Sequence, residues 1–270
     1  MSPIRPAAVA GTFYPGEPSA LAAEVAAYLA EAAADPRRAR APKAIIAPHA
    51  GYMYSGAIAA SIYARLAPLR GTIHRVVLAG PAHRVFVRGA AIPAVHAFAS
   101  PLGTIDLDLE ALARLRALPF VAVSDKAHAL EHSLEVHLPF LQLVLGAFRL
   151  VPVVVGDATA PEAALLLDTV WGGAETLVVV SSDLSHYLPY DTARKRDRDT
   201  ASTILHLDAR LLPEEACGAA PINGLLETAR RRGLAAELVD LRNSGDTAGD
   251  RSRVVGYGAF AFHAPEPGDA

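Results

Sequence analysis

The chain has 270 residues, 52% hydrophobic and 20% charged, with a formal net charge of -3. That balance excludes an intrinsically disordered chain and lacks the basic excess with which a protein tracks nucleic-acid phosphates. A single cysteine rules out an intrachain disulfide and suits a reducing compartment. No N-terminal apolar run resembles a signal peptide, and no stretch approaches the roughly 18 apolar residues of a membrane span. The expectation is a cytoplasmic protein with no direct nucleic-acid or membrane binding. A chain of this length buries roughly three quarters of its unfolded surface, so it needs no metal merely to fold.

In chain order, Pro18 opens an alanine-rich helix from Ser19 to Ala33. Ala44-Ile45-Ile46-Ala47 reads as a strand, Ser55 to Leu66 as a helix, and Val76-Val77-Leu78-Ala79 as a strand. Leu107 to Leu118 and Ser133 to Leu145 read as helices, followed by a strand at Val151 to Val155 and a helix at Pro161 to Val170. Leu177 to Val180 is a strand and Tyr190 to Leu207 a helix. Pro221 to Arg232 carries proline in its first turn, with Gly233 just past its end. Val254 to His263 alternates small and aromatic residues, as a strand does when something lies close to it. Nearly continuous apolar strands alternating with longer amphipathic stretches are the βαβ signature of a mostly parallel sheet covered on both faces, an α/β three-layer sandwich. No linker, repeat or change in composition breaks the chain, so one domain is expected over residues 1–270, with 264–270 as a frayed tail. Arg37-Arg38, Lys195-Arg196 and Arg230 to Arg232 read as solvated helix faces and ends.

Ligands of open α/β sheets bind beyond the carboxyl ends of the strands. Three apolar runs here lead straight into polar residues at that edge: Pro48-His49-Ala50-Gly51-Tyr52, Gly80-Pro81-Ala82-His83, and Ser181-Ser182-Asp183-Leu184-Ser185-His186. A lone histidine after a strand more often caps or packs than binds; three at one edge suit a site built from distant parts of the chain. In Glu131-His132-Ser133-Leu134-Glu135-Val136-His137-Leu138-Pro139, four ionisable groups in seven residues suit a shell that orients ligands or moves protons. The plainer alternative is a solvated first helical turn, where acidic residues favour the dipole. Helical spacing there would align Glu131 with Glu135 and Ser133 with His137. Cys217, just before the helix at Pro221, is either a thiolate favoured by the helix N-terminus or an inert buried thiol. No G-x-S-x-G elbow, phosphate loop or G-x-G-x-x-G turn is present, which argues against serine hydrolysis and nucleotide binding.

The ordered set of Ala10-Gly11-Thr12-Phe13-Tyr14, the His49 and His83 blocks, the Glu131 to Pro139 block, Ser181-Ser182-Asp183 with His186, and Cys217-Gly218 with Pro221-Ile222 resembles the Memo family. Bacterial and archaeal members of that family are called AmmeMemoRadiSam system protein B. The resemblance runs from about Ala10 to His263 and implies the fold and pocket position of class III extradiol dioxygenase catalytic subunits, which hold Fe(II) with two histidines and a carboxylate. By that resemblance His49, His83 and Cys217 are the metal ligands, with cysteine where the dioxygenases have glutamate. Asp183, His186, His137, Glu135, His132 and Glu131 are catalytic or supporting residues, and Phe13, Tyr14 and Tyr52 line the pocket. The implied cofactor is one divalent transition metal, first Fe(II), with Cu or Zn as alternatives; a thiolate donor favours these over Mg or Ca. The family name also implies an association with radical-SAM and AMMECR1-type proteins. Phe13 stands where animal members have tryptophan, and Tyr187-Leu188-Pro189-Tyr190 replaces an arginine-bearing stretch, which argues against carrying over their phosphopeptide binding.

Three readings compete. The first is a metal-dependent oxidoreductase of dioxygenase ancestry acting on a small chelating molecule, with His186 or His137 moving protons. The second is a non-catalytic metal-carrying or peptide-binding module with a vestigial pocket. The third is a zinc hydrolase that works through a metal-activated water.

Overall fold

The computed structural model describes residues 3–33 and 41–264; the Arg37-Arg38 reading and most of the frayed-tail expectation lie outside these residues. Twelve strands are present among them: β1 Ile4–Arg5, β2 Ala44–Ala47, β3 Arg75–Pro81, β4 Ala90–Ile92, β5 Ala97–Ser100, β6 Gly103–Asp106, β7 Val121–Val123, β8 Arg149–Val155, β9 Thr176–Ser181, β10 His186–Leu188, β11 Ala235–Asn243 and β12 Val254–His263. The helices are α1 Pro18–Ala33, α2 Tyr52–Tyr63, α3 Leu109–Arg116, α4 Asp125–Ala129, α5 Leu138–Leu145, α6 Ala160–Val170, α7 Tyr190–Leu205 and α8 Ala219–Arg231. None is long and apolar enough to cross a membrane.

The four apolar runs of the sequence become the centre of the main sheet, in the order β2-β9-β3-β8 and all parallel. Every residue of β2 and β9 is buried, as a parallel strand covered on both faces requires. Antiparallel strands extend this centre at both sides: β12 pairs with β2 and carries β10 and β11, while β4 pairs with β8 and carries β7. A small separate sheet joins β1, β5 and β6. The helices form two packs that flank the main sheet. In one, α6 packs on α3 and α8, and α8 lies on β3 and β9; in the other, α1, α2 and α5 pack together and α2 lies on β2, β11 and β12. The result is a mixed α/β fold with a large, mostly parallel sheet flanked by helices.

Two differences from the sequence reading matter for the site. The helix expected from Ser133 to Leu145 begins only at Leu138, after a 3-10 turn at Glu135–His137. Pro139 occupies the first turn of α5, where a missing N–H costs nothing. Residues 131–134 are therefore not helical, and neither Glu131 with Glu135 nor Ser133 with His137 shares a helix face. The second difference is β11, a nine-residue strand that pairs antiparallel with β12 through eight of its residues. Its mixed polar composition concealed it, because its residues are mostly half-buried.

Candidate metal centre

Strand β2 leads into His49, which is 1% exposed. Its backbone N–H donates to Asp183 Oδ1 at 2.8 Å, and its Nδ1 lies 2.6 Å from Ser181 Oγ. Strand β3 leads into His83, whose backbone N–H and Nδ1 meet the two oxygens of Glu131 at 2.6 and 2.9 Å. Burial pushes the Glu131 carboxyl up, but hydrogen bonds from His83 and from the Ser133 and His83 backbone outweigh it and hold the pKa at about 2. The carboxylate is thus ionised and can only accept, so the His83 nitrogen that faces it, Nδ1, carries a hydrogen.

His132, adjacent to Glu131, completes the cluster. Its ring stacks on His83 at 4.7 Å and meets His49 edge-on at 5.5 Å. One ligand-capable atom from each of His49, His83 and His132 lies within 4.8 Å of the other two. Burial lowers His49 well below the usual imidazole range, and it lowers His132, with help from His83, to about 4. Neutral, converging imidazoles are what a transition metal needs. The Nδ1 of His132 is buried and makes no hydrogen bond.

Cys217 approaches from the far side. Its Sγ lies 3.4 Å from His49 Nε2 and accepts the Asp183 N–H at 3.3 Å. Two glycines make these approaches possible. A Cβ on Gly218 would fall 2.5 Å from the Ser181 carbonyl oxygen, and one on Gly80 would fall 2.9 to 3.1 Å from Leu134, Ser133 and Ser181. The helix-favoured thiolate is not what the structure has. Burial, and then the Asp183 carboxyl, push the thiol up to about 12, so without a metal Cys217 is a neutral thiol. The three imidazoles and this sulfur are a donor set that fits a borderline-to-soft transition metal.

The cluster forms the floor of an open cleft of about 690 Å³. Phe13 walls it beside His132, with ring centroids 4.8 Å apart. Asp183 and His186 also line it. Burial raises Asp183 to about 7 against the lowering effect of the His49 N–H, and lowers His186.

The remaining residues singled out from the sequence lie elsewhere. Tyr14 and Tyr52 do not line the cleft but sit 3% exposed in the core behind it. Tyr52 donates to the Val136 carbonyl at 2.7 Å and Tyr14 to Glu135 at 2.6 Å. Glu135 also accepts from Arg5 Nη1 at 2.5 Å and from the Ala8 and Val9 N–H groups at 2.8 and 2.9 Å, so all its partners belong to the N-terminal strap. His137 is buried against Tyr63, whose hydroxyl lies 2.8 Å from its Nδ1, and does not reach the cleft.

Sequence reasoning missed Tyr54, Tyr187, Tyr257, Arg84 and Arg253, which complete the walls. Arg84 and Tyr187 directly follow motif histidines, and that adjacency was a usable signal. Tyr187 is also held at φ 57, in the left-handed region that non-glycine residues avoid, and the Arg253 guanidinium lies 5.2 Å from its ring centre. Arg253 and Tyr257 enter from the start of β12, and nothing in the sequence ties that end to this edge.

A family model described as Memo-like protein matches residues 5–261. A MEMO1 family protein of Ignicoccus hospitalis is 36% identical over 97% of this chain and 99% of its own length. One from Aquifex aeolicus is 35% identical over 96% of this chain and 99% of its own. An uncharacterized protein of Escherichia coli K12, known from a crystal structure, superposes over 81% of this chain and 99% of its own at a TM-score of 0.48 and 17% identity, too remote to support any argument. With the match running almost end to end, this chain belongs to the Memo-like family.

Proposed function

We propose that the chain is a metal-dependent oxidoreductase holding one divalent transition metal, first Fe(II) and otherwise Cu or Zn, on His49 and His83, with His132 and Cys217 as the neighbouring donors. The observation that carries this reading is the convergence of three imidazoles within 4.8 Å at the floor of an open cleft. When bound, such a metal supplies redox chemistry and coordination positions for a chelating small molecule. Glu131 would hold His83 in its ligating form. Asp183, with a pKa of about 7, is suited to exchange a proton at the cleft wall near neutral pH. His186, kept neutral by burial, is a second proton acceptor on the same wall. Phe13, Tyr54 and Tyr257 offer flat apolar surface to a planar ligand. A reducing compartment would preserve the Cys217 thiol.

The test is elemental analysis of wild type, His49→Ala, His132→Ala and Cys217→Ser after anaerobic Fe(II) loading, followed by oxygen uptake with chelating aromatic substrates. The expected result is close to one metal per wild-type chain, a marked loss in His49→Ala, and oxygen uptake that depends on the metal. Metal binding without turnover would replace the enzyme reading with a metal-carrying or peptide-binding module. Turnover with zinc and not with iron would favour hydrolysis.

A further inference from the structure

Ser181 is the last residue of β9 and is fully buried. Its hydroxyl has two neighbours at the same distance: the Ser133 carbonyl oxygen and His49 Nδ1, each 2.6 Å away. A hydroxyl owns one proton, and a carbonyl oxygen can only accept. If the proton pointed at His49, two oxygens 2.6 Å apart would face each other with nothing between them, a repulsive contact. The proton therefore goes to Ser133, and the face of Ser181 turned to His49 can only accept. That requires the hydrogen of the neutral His49 ring to sit on Nδ1, leaving the lone pair on Nε2, the nitrogen 3.4 Å from Cys217 Sγ.

Ser133 belongs to the segment that carries Glu131 and His132, and its own hydroxyl is tied to the Pro81 carbonyl at 2.9 Å, at the end of β3. Ser181 thus joins the ends of β9 and β3 to the 131–134 segment while it orients a ring delivered by β2. Glu131 acts on His83 in the same sense, as an acceptor on Nδ1. His132 Nδ1 makes no hydrogen bond; the acceptor it faces is the same Glu131 Oε1, 3.5 Å away.

We infer that Ser181 is a positioning residue of the centre: by giving its only proton to Ser133 it locks His49 in the Nδ1–H tautomer and directs the Nε2 lone pair toward His83, His132 and Cys217. The consequence for affinity rests on the metal-centre reading; the tautomer does not.

The experiment is therefore in two parts. Imidazole nitrogen spectra of isotope-labelled, metal-free wild type at neutral pH should show His49 as the Nδ1–H form, and Ser181→Ala should show a mixture or the other form. Co(II) titration of the two proteins should show an affinity about 10–100-fold lower in Ser181→Ala, with an unchanged circular dichroism spectrum. An Nε2–H form of His49 in wild type overturns the inference, and this holds even if the variant fails to fold. So does a Ser181→Ala protein that keeps both the wild-type tautomer and the wild-type affinity. If wild type shows the Nδ1–H form but takes up no Co(II), the metal reading falls while the role of Ser181 toward His49 stands.

Discussion

Glu131 and Glu135 lie four residues apart, are equally buried, and do opposite work. Glu131 turns to the cleft and takes hydrogen bonds from His83 and the Ser133 N–H. Glu135 turns away and gathers Arg5, Tyr14 and two backbone N–H groups of the N-terminal strap. His132 and His137 divide in the same way, one in the imidazole cluster and one against Tyr63. Residue type and spacing were alike at both ends of this segment. The break in the helix before Leu138 separated them, because it let residues 131–134 fold over Gly80 while Glu135 onward faces the core.

The largest expected effect that tests this division is Glu135→Ala. It leaves the Arg5 guanidinium buried without its anion and should cost about 3–5 kcal/mol, read as a lowered midpoint in denaturant unfolding. Tyr14→Phe removes one hydrogen bond to the same carboxylate and should cost about 2 kcal/mol, again in unfolding. A metal affinity lowered by either variant in protein that is still folded would erase the distinction between the two carboxylates.

On the cleft side, Glu131→Gln keeps the shape but frees His83 to exchange its ring hydrogen. Metal affinity should fall about 10–100-fold, measured by Co(II) titration, with stability changed less than by Glu135→Ala.

The smallest effect is on pH dependence. Burial depresses His137 to about 3 and His132 to about 4. Between those values and the unfolded pKa of about 6.5, the unfolded chain binds more protons than the folded one, so stability falls as pH drops through that window. Asp183, raised to about 7, works in the other direction: over roughly pH 4–7 its folded form holds the proton, so stability rises as pH falls. Unfolding free energy of metal-free protein should therefore decline on acidification, less steeply in His137→Phe and more steeply in Asp183→Asn. An unaltered slope in both variants would mean that neither group titrates with folding.

The parallel centre of the sheet was legible because β2, β3, β8 and β9 are apolar runs of a kind that only two-sided burial explains. His49, His83, Asp183 and His186 were legible for the related reason that polar residues directly after such runs must lie at one edge. His132 was harder to place. Its neighbours suggested a helix, and only the position of Pro139 in the structure shows that the helix starts later and leaves His132 free to stack on His83. Tyr14 and Tyr52 show the converse error: they flank cleft residues in sequence, but alternate direction puts their rings into the core. Arg253 and Tyr257 could not be assigned, since strand pairing between distant segments is set by packing and leaves no local pattern.

That pairing has a consequence for how the protein is made. β12 binds β2 across more than two hundred residues, joining Phe260 to Ile46 and Phe262 to Ala44, and its first residues also hold the Asp183 loop through hydrogen bonds between Gly256 and both Leu184 and Ser185. A nascent chain still on the ribosome has all three clustered histidines exposed to the tunnel exit long before this strand emerges. Until then β2 is an open edge able to pair with other chains, and the cleft lacks one wall. Translation stalled ahead of residue 254 would release an aggregation-prone product whose cleft is missing that wall.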